Sequence, residues 1–211
     1  MEPYQIPEIL RLPLEELCLR ILIYGFPSPE VLLAQAIDPP PPKNIERALL
    51  TLSRVGAISS STKQLNPLGI HLAHLPLDVR LGKMVIYGSI FKCLDPMLTI
   101  VASLGLGKSI FSQSFGKEDE SLALRRDFFG LGTGNSDLLT TVKAYENWRR
   151  RISSSTSGGV YDFCRKHFLN HSNLLLVEEL KLQIMRNLLN MGFLTESDVN
   201  WKDESGFYTS K

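Results

Sequence analysis

A mainly α fold, a winged-helix domain followed by a helical bundle, is predicted from three observations. Apolar residues recur at three-and-four spacing through most of the chain. Prolines and glycines cut that pattern into short segments in the first third. One stretch, AISSSTKQL at 57–65, breaks the helical period with β-tolerant ends and a polar middle. Composition agrees: 44% of the 211 residues are hydrophobic and 21% charged, enough for an ordinary buried core. With 23 Lys and Arg against 22 Asp and Glu, the net charge of +1 excludes attraction of polyanions by overall charge. Any nucleic-acid site must therefore come from local arrangement.

The first helix is expected over 14–24, where Leu14, Leu17, Cys18, Ile21 and Leu22 share a face and Gly25 ends the run. Ser28-Pro29-Glu30 supplies an N-cap, a proline at the first helical position and an acidic first turn. The helix it opens holds Val31, Leu32, Leu33 and Ala36 and is stopped by the prolines at 39–42. Asn44 can cap a third helix with the stripe Ile45, Ala48, Leu49, Leu52 and Val55, closed by Gly56. The polar-centred stretch that follows suits a two-stranded ribbon. Three short helices and a ribbon are the order of a winged helix, assigned to 14–78. A duplex-reading third helix carries exposed cations for bases and phosphates. This one has only Arg47 and Arg54, offset by Glu46, which favours a structural or protein-contacting role.

From residue 79 the pattern is helical, with apolar stripes at 79–91, 97–106, 138–152 and 174–191. Asp78 is placed to cap the first of these, and Ser136 or Asp137 the third. Polar interruptions at 116–120 and 153–159 read as loops. These helices form the expected bundle over 79–194; residues 195–211, polar and without period, read as a linker or tail.

The search for chemistry is negative for catalysis. There is no GxSxG elbow and no acid in an obviously apolar cleft. The three cysteines, Cys18, Cys93 and Cys164, form no CxxC pair and are expected as reduced thiols of an intracellular protein. His71 with His74 and His167 with His171 lack the cysteine or carboxylate companions of a zinc motif, so no metal site is expected. His167 and His171, four apart, could share a helix face if that segment is helical. Gly105-Leu106-Gly107-Lys108-Ser109 resembles the tail of a phosphate-binding loop. Ala102 stands where the earlier glycine is needed, and a helix rather than a strand precedes it, so the segment reads as a helix end and turn. The glycines at 130–134 fail GxGxxG because Asn135 takes the third position. No apolar run is long enough to span a bilayer, and the opening residues are interrupted by Glu2, Glu8 and Arg11, unlike a signal peptide.

Cations beside aromatics are the remaining signal. Arg149-Arg150-Arg151 ends a helix, where the macrodipole favours positive charge, yet consecutive arginines point in different directions and one or two can meet phosphates. Arg165-Lys166-His167 with Asn170 offers donors beside Tyr161, Phe163 and Phe168, a mixture that suits single-stranded RNA. The candidate RNA-binding residues are Arg149, Arg150, Arg165, Lys166, His167 and Asn170. The competing reading makes the aromatics core and the arginines helix-end charges.

The run from Pro67-Leu68-Gly69-Ile70-His71-Leu72-Ala73-His74-Leu75-Pro76-Leu77-Asp78 through Val79-Arg80-Leu81-Gly82-Lys83-Met84 resembles the helicase-associated segment of DEAH-box/RNA helicase A-like proteins. Pro7-Glu8-Ile9 with Arg11 and Leu14-Glu15, Ile37-Asp38-Pro39-Pro40, Ile90-Phe91-Lys92-Cys93-Leu94-Asp95-Pro96 with Leu98-Thr99-Ile100, Lys143-Ala144-Tyr145 with Trp148, and Cys164 with Phe168-Leu169-Asn170 extend the likeness, in order, over nearly the whole chain. It lies nearer to members acting on structured RNA or in translation than to splicing factors. Two departures stand out. Asp137-Leu138-Leu139 replaces the family's Asp-His-Leu, and Lys108-Ser109 leads into Ile110-Phe111 rather than Pro-Phe.

The resemblance implies a division of labour. RecA-like domains elsewhere in the polypeptide bind ATP and Mg and hydrolyse the nucleotide, the winged helix braces them, and the bundle, a ratchet-like domain, closes over single-stranded RNA. It implies that residues 1–13 are the end of the preceding RecA-like domain or a linker, that Met1 is not a native start, and that this segment, lacking ATPase motifs, has no cofactor and no hydrolytic activity of its own. Implied partners are single-stranded or structured RNA, the RecA-like domains and a glycine-patch or other activator on the winged helix, with no membrane, in the cytoplasm or nucleus. The alternative is a protein-interaction module that docks such an activator without touching RNA.

Overall fold

The computed structural model describes residues 7–112, 116–126, 136–154, 157–200 and 209–210. The glycine cluster at 130–134, the residues before Pro7 and most of 201–211 lie outside them. Backbone contacts divide the chain into two compact units, Met1–Lys83 and Met84–Lys211. The division falls inside a helix, Val79–Ile90, rather than at the Asp78 boundary expected from sequence. Asp78 does start that helix: its Oδ1 accepts from the backbone N–H groups of Arg80 (2.9 Å) and Leu81 (3.4 Å). The first turn nevertheless belongs to the first unit. Val79 is buried, Gly82 lies so close to Leu72 that a Cβ there would be 2.8 Å from its Cδ2, and Lys83 Nζ donates to the Val55 carbonyl at 2.6 Å.

The first unit contains α1 (Glu8–Arg11), α2 (Glu15–Ile23), α3 (Pro29–Leu33), α4 (Pro42–Val55) and α5 (Pro67–Ala73), then the start of α6 (Val79–Ile90). Helix α2 packs on α4 and α5, and α3 on both α2 and α4. The cap of α3 is as expected, Ser28 Oγ accepting from Val31 N at 3.3 Å. That of α4 is not. The helix begins at Pro42, with Pro41 as N-cap, because a proline run that stops one helix also supplies the preset φ that opens the next. Its stripe Ile45, Ala48, Leu49, Leu52 and Val55 is buried as expected, and Gly56 closes it at φ 86°. The expected ribbon shrinks to one antiparallel bridge, Ile58 with Leu65, because the polar residues between them form a turn. The next helix, α5, is the one that precedes the Asp78 cap. It lies so close under that turn that a Cβ on Gly69 would stand 2.1 Å from the Ala57 carbonyl oxygen.

The second unit contains the rest of α6, α7 (Leu94–Leu106), α8 (Glu118–Leu124), α9 (Asp137–Ser154), α10 (Ser157–Lys166) and α11 (His171–Asn190). Helix α7 packs against α9 and α11, and α9 against α10. Helix α7 ends at Gly107, φ 64°, so Lys108-Ser109 follow a helix C-terminus, as the sequence indicates, and not a strand. Both expected loops are largely helical. Glu118, Asp119 and Glu120 form an acidic first turn of α8, where the macrodipole favours them. Within the 153–159 interruption, 153–154 belong to α9 and 157–159 to α10. Beyond α11, Thr195 and Asp198 make a capping box on a 3₁₀ turn over Glu196–Asp198. Strand β1 (Val199–Asn200) then pairs antiparallel with β2 (Thr209–Ser210), so part of the expected tail is folded.

Candidate nucleic-acid interface

The candidate residues cluster where α9, α10 and α11 meet. Helix α10 buries Val160 and Cys164 and half-buries Phe163, leaving Arg165 and Lys166 in its last turn, next to the negative end of the dipole. Burial pushes the Cys164 thiol up to about 11, so it packs as a thiol. Phe168, at φ 51°, reverses the chain. The reversal is held by an extended partner, the segment after Lys108-Ser109: Ser112 N donates to Phe168 O at 2.8 Å and Asn170 N to Ile110 O at 2.7 Å. His167 therefore follows α10 while His171 opens α11, and the two do not share a helix face.

An aromatic cluster fixes the start of α11. Trp148, fully buried on α9, donates its Nε1–H to His171 Nδ1 at 3.0 Å. Indole nitrogen can only donate, so this imidazole must accept at Nδ1 and be neutral. Burial lowers its pKa in the same direction. Tyr161, 61% exposed, sets its ring edge-on to His171 at 4.8 Å.

Below this cluster lies a buried polar network. Lys181, 1% exposed, donates from Nζ to Asp95 Oδ1 at 3.0 Å and Thr99 Oγ1 at 2.9 Å and sits 4.3 Å over the Tyr145 ring. The Tyr145 hydroxyl donates to Glu178 Oε2. Burial lowers the Lys181 pKa against the opposing pull of Asp95. Burial, then Glu178, raises that of Tyr145, which keeps its proton and remains a donor. Sequence reasoning passed over this network. The legible signal was Lys181 itself, standing in the apolar stripe Leu174, Val177, Ile184, Met185 and Leu188.

The six candidates have unequal positions. Arg150, Arg165 and Lys166 are exposed. Arg150 Nη2 donates to Asn147 Oδ1 at 2.8 Å, and Arg165 pairs with Asp162 at 2.9 Å in a largely solvent-exposed ion pair. Arg149 is half-buried and close enough to Tyr145 and Lys181 to act on both electrostatically. His167 is only 8% exposed, its ring 4.4 Å from Phe163, with its pKa lowered by burial and then by Lys166. Asn170 caps α11, its Oδ1 accepting from Asn173 N at 3.0 Å. A further feature was missed: Arg125, stacked 4.4 Å over Phe111, lines a cleft of about 650 Å³ with Arg126, Asp137, Thr140 and Thr141, the Asp137 carboxylate offsetting part of the positive charge. Among the described residues no group of three or more His, Cys, Asp or Glu could hold a metal ion, and no helix is long and apolar enough to cross a membrane.

Residues 78–154 match the family described as helicase associated domain (HA2), ratchet-like. The chain is 38% identical over 96% of its length to the mouse ATP-dependent RNA helicase DHX29, of which it spans 14%. It is 39% identical over 91% of its length to the human putative ATP-dependent RNA helicase DHX57, spanning 14% of it. To the human ATP-dependent DNA/RNA helicase DHX36 it is 38% identical over 97% of its length, spanning 20%.

Proposed function

We propose that this chain, a helicase-associated region of the DEAH-box RNA helicase kind, braces the RecA-like motor of its parent protein and lines the path of single-stranded RNA during unwinding. In this reading the motor domains bind ATP and Mg and supply the chemistry, in the cytoplasm or nucleus. This segment contributes positioning and grip. Residues 14–78 brace as a winged helix, a reading supported by three helices followed by a bridged turn.

One observation carries the RNA assignment. The exposed cations Arg150, Arg165 and Lys166 stand on two helices packed against each other, beside exposed Tyr161, whose neighbour His171 is anchored by buried Trp148. Cations for phosphates and a ring for stacking, on a rigid base, suit sequence-blind contact with a strand. The Arg165–Asp162 pair does not oppose this, because fully solvated ion pairs contribute little and exchange readily for a phosphate. Replacing Arg150, Arg165 and Lys166 with Gln in the parent enzyme should weaken unwinding while leaving RNA-independent ATP hydrolysis intact. Unchanged unwinding would remove this reading.

A second reading is favoured by a different surface. In the first unit Tyr24, Phe26 and Val31 are exposed and Ile37 is 100% exposed. Apolar side chains left in solvent suit docking of a protein, and a glycine-patch activator is the partner proposed. Binding of a purified activator to the chain, abolished by Ile37→Asp with Val31→Asp, is the expected result. Retained binding would exclude this surface.

A further inference from the structure

We infer that a cleft in the first unit, lined by Arg11, Arg47 and Arg80, holds backbone phosphate of an RNA strand, a second contact separate from the α9 and α10 cations. The cleft encloses about 320 Å³ between the α1–α2 connection, α4 and the first turn of α6. Three different elements each bring one arginine to it, and Glu15 is its one acidic lining residue. All three arginines are exposed. Among the described residues none of the three guanidinium groups has a carboxylate within ion-pair distance.

Arg80 makes this more than a crowded surface. It occupies the first turn of α6, whose N-terminus is capped by the Asp78 carboxylate, yet Arg80 lines the cleft and Asp78 does not. Arg11 adds a second positive charge nearby and Arg47 a third. In a chain of net charge +1, three arginines against one carboxylate in the lining are a local concentration of positive charge. Asn44, also lining the cleft, is a neutral amide donor of the kind that joins arginine at phosphate oxygens.

The chemistry of the occupant follows. Guanidinium forks match phosphate and carboxylate alike. A space at the small end of the range for ligand pockets, about 300–1,000 Å³, admits one backbone but not a packed helix. A strand threading it presents successive phosphates, whereas a protein segment would need adjacent acidic side chains. The identity of the anion rests on the RNA reading above; the cleft and its charge do not.

The test measures binding of a fluorescein-labelled oligouridylate to the whole chain by anisotropy over a range of salt. Arg47→Gln with Arg80→Gln should lower affinity at least about tenfold and flatten the slope of log K against log salt by about 1.4, twice the increment of about 0.7 per phosphate on a single strand. Arg47→Lys with Arg80→Lys should restore most of the slope. Both sites are exposed, and an unchanged thermal transition shows that the fold is kept. Arg165→Gln with Lys166→Gln is measured in parallel. Loss in this variant alone overturns the cleft and leaves the proposed function standing; loss in the cleft variant alone does the reverse. Absence of binding by the unaltered chain removes both. Polyglutamate that displaces the oligonucleotide from the unaltered chain as well as unlabelled RNA does would identify an acidic protein segment as the occupant and overturn the inference.

Discussion

The first unit closes over Leu19, Leu49, Leu52 and Ile58, whereas the second closes over Trp148 and Tyr145 together with Lys181. Among the described residues, every buried polar or charged side chain, Thr99, Ser121, His167, Glu178 and Lys181, belongs to the second unit. The difference is one of means. An aliphatic core is non-directional, and any well-packed arrangement of about the right volume satisfies it. A buried lysine is tolerated only where acceptors meet it, so the second unit is tied to the one arrangement of α7, α9 and α11 that brings Asp95, Thr99, Tyr145 and Glu178 together. The second unit is thus the one whose interior is fixed by direction as well as by volume.

The comparison breaks most visibly at Lys181. Lys181→Ala leaves Asp95 without its ion-pair partner and opens a cavity, so the second unit should lose about 3–5 kcal/mol. Hydrogen exchange should rise in α7 and α11 and stay unchanged in α4. A loss of under about 1 kcal/mol would mean that the network is incidental.

The counterpart in the first unit is steric. Gly69→Ala places a Cβ 2.1 Å from the Ala57 carbonyl oxygen, a backbone atom that cannot swing away. A cost of about 1–3 kcal/mol is expected, with faster exchange in α4 and α5 and none of the first variant's effect on α11.

Smaller effects separate structure from contact within the candidate site. Asn170→Ala removes the α11 cap and should cost about 1 kcal/mol. Arg165→Gln, at a largely exposed position, should stay within about 0.5 kcal/mol in denaturant unfolding. If Asn170→Ala lowers RNA affinity in proportion to lost stability alone, the residue is a cap and not a contact.

The pH dependence sharpens the same contrast. The pKa values of His167 and His171 are lowered in the folded second unit, chiefly by burial. Above the unfolded value of about 6.5 both states are neutral and stability is fully present. As pH falls below it the unfolded chain binds protons first, so stability is lost until the folded pKa values are passed. The slope should diminish in His171→Gln. A second unit indifferent to pH between 7 and the range of carboxylate titration would contradict the Trp148–His171 bond.

Much of the fold is legible in the residues because one apolar stripe has one period. The α4 stripe, the caps at Ser28 and Asp78 and the stops at Gly56 and Gly107 are local facts, decided by dihedrals and by spacing along one helix. Segments without a strong stripe misled. The first three residues of α10, Ser-Gly-Gly, fall in the loop expected at 153–159, because the helicity of α10 comes from packing Val160 and Cys164 against neighbours distant in sequence. The candidate site was legible as composition, cations beside aromatics, but not as roles. Asn170 as cap, His167 as packed ring and Arg149 as neighbour of a buried lysine depend on which way each side chain turns.

By itself, then, the order of amino acids settled the helical class, most helix ends and a likeness to helicase-associated regions, matched by a family model over residues 78–154. These are written in short-range spacing, where each residue acts on others within a few positions. Only the tertiary structure decided that Lys181 reaches Asp95, 86 positions away, and that Arg11, Arg47 and Arg80 line one cleft. Charges separated along the chain interact by distance in space, and that distance exists only once the helices have packed.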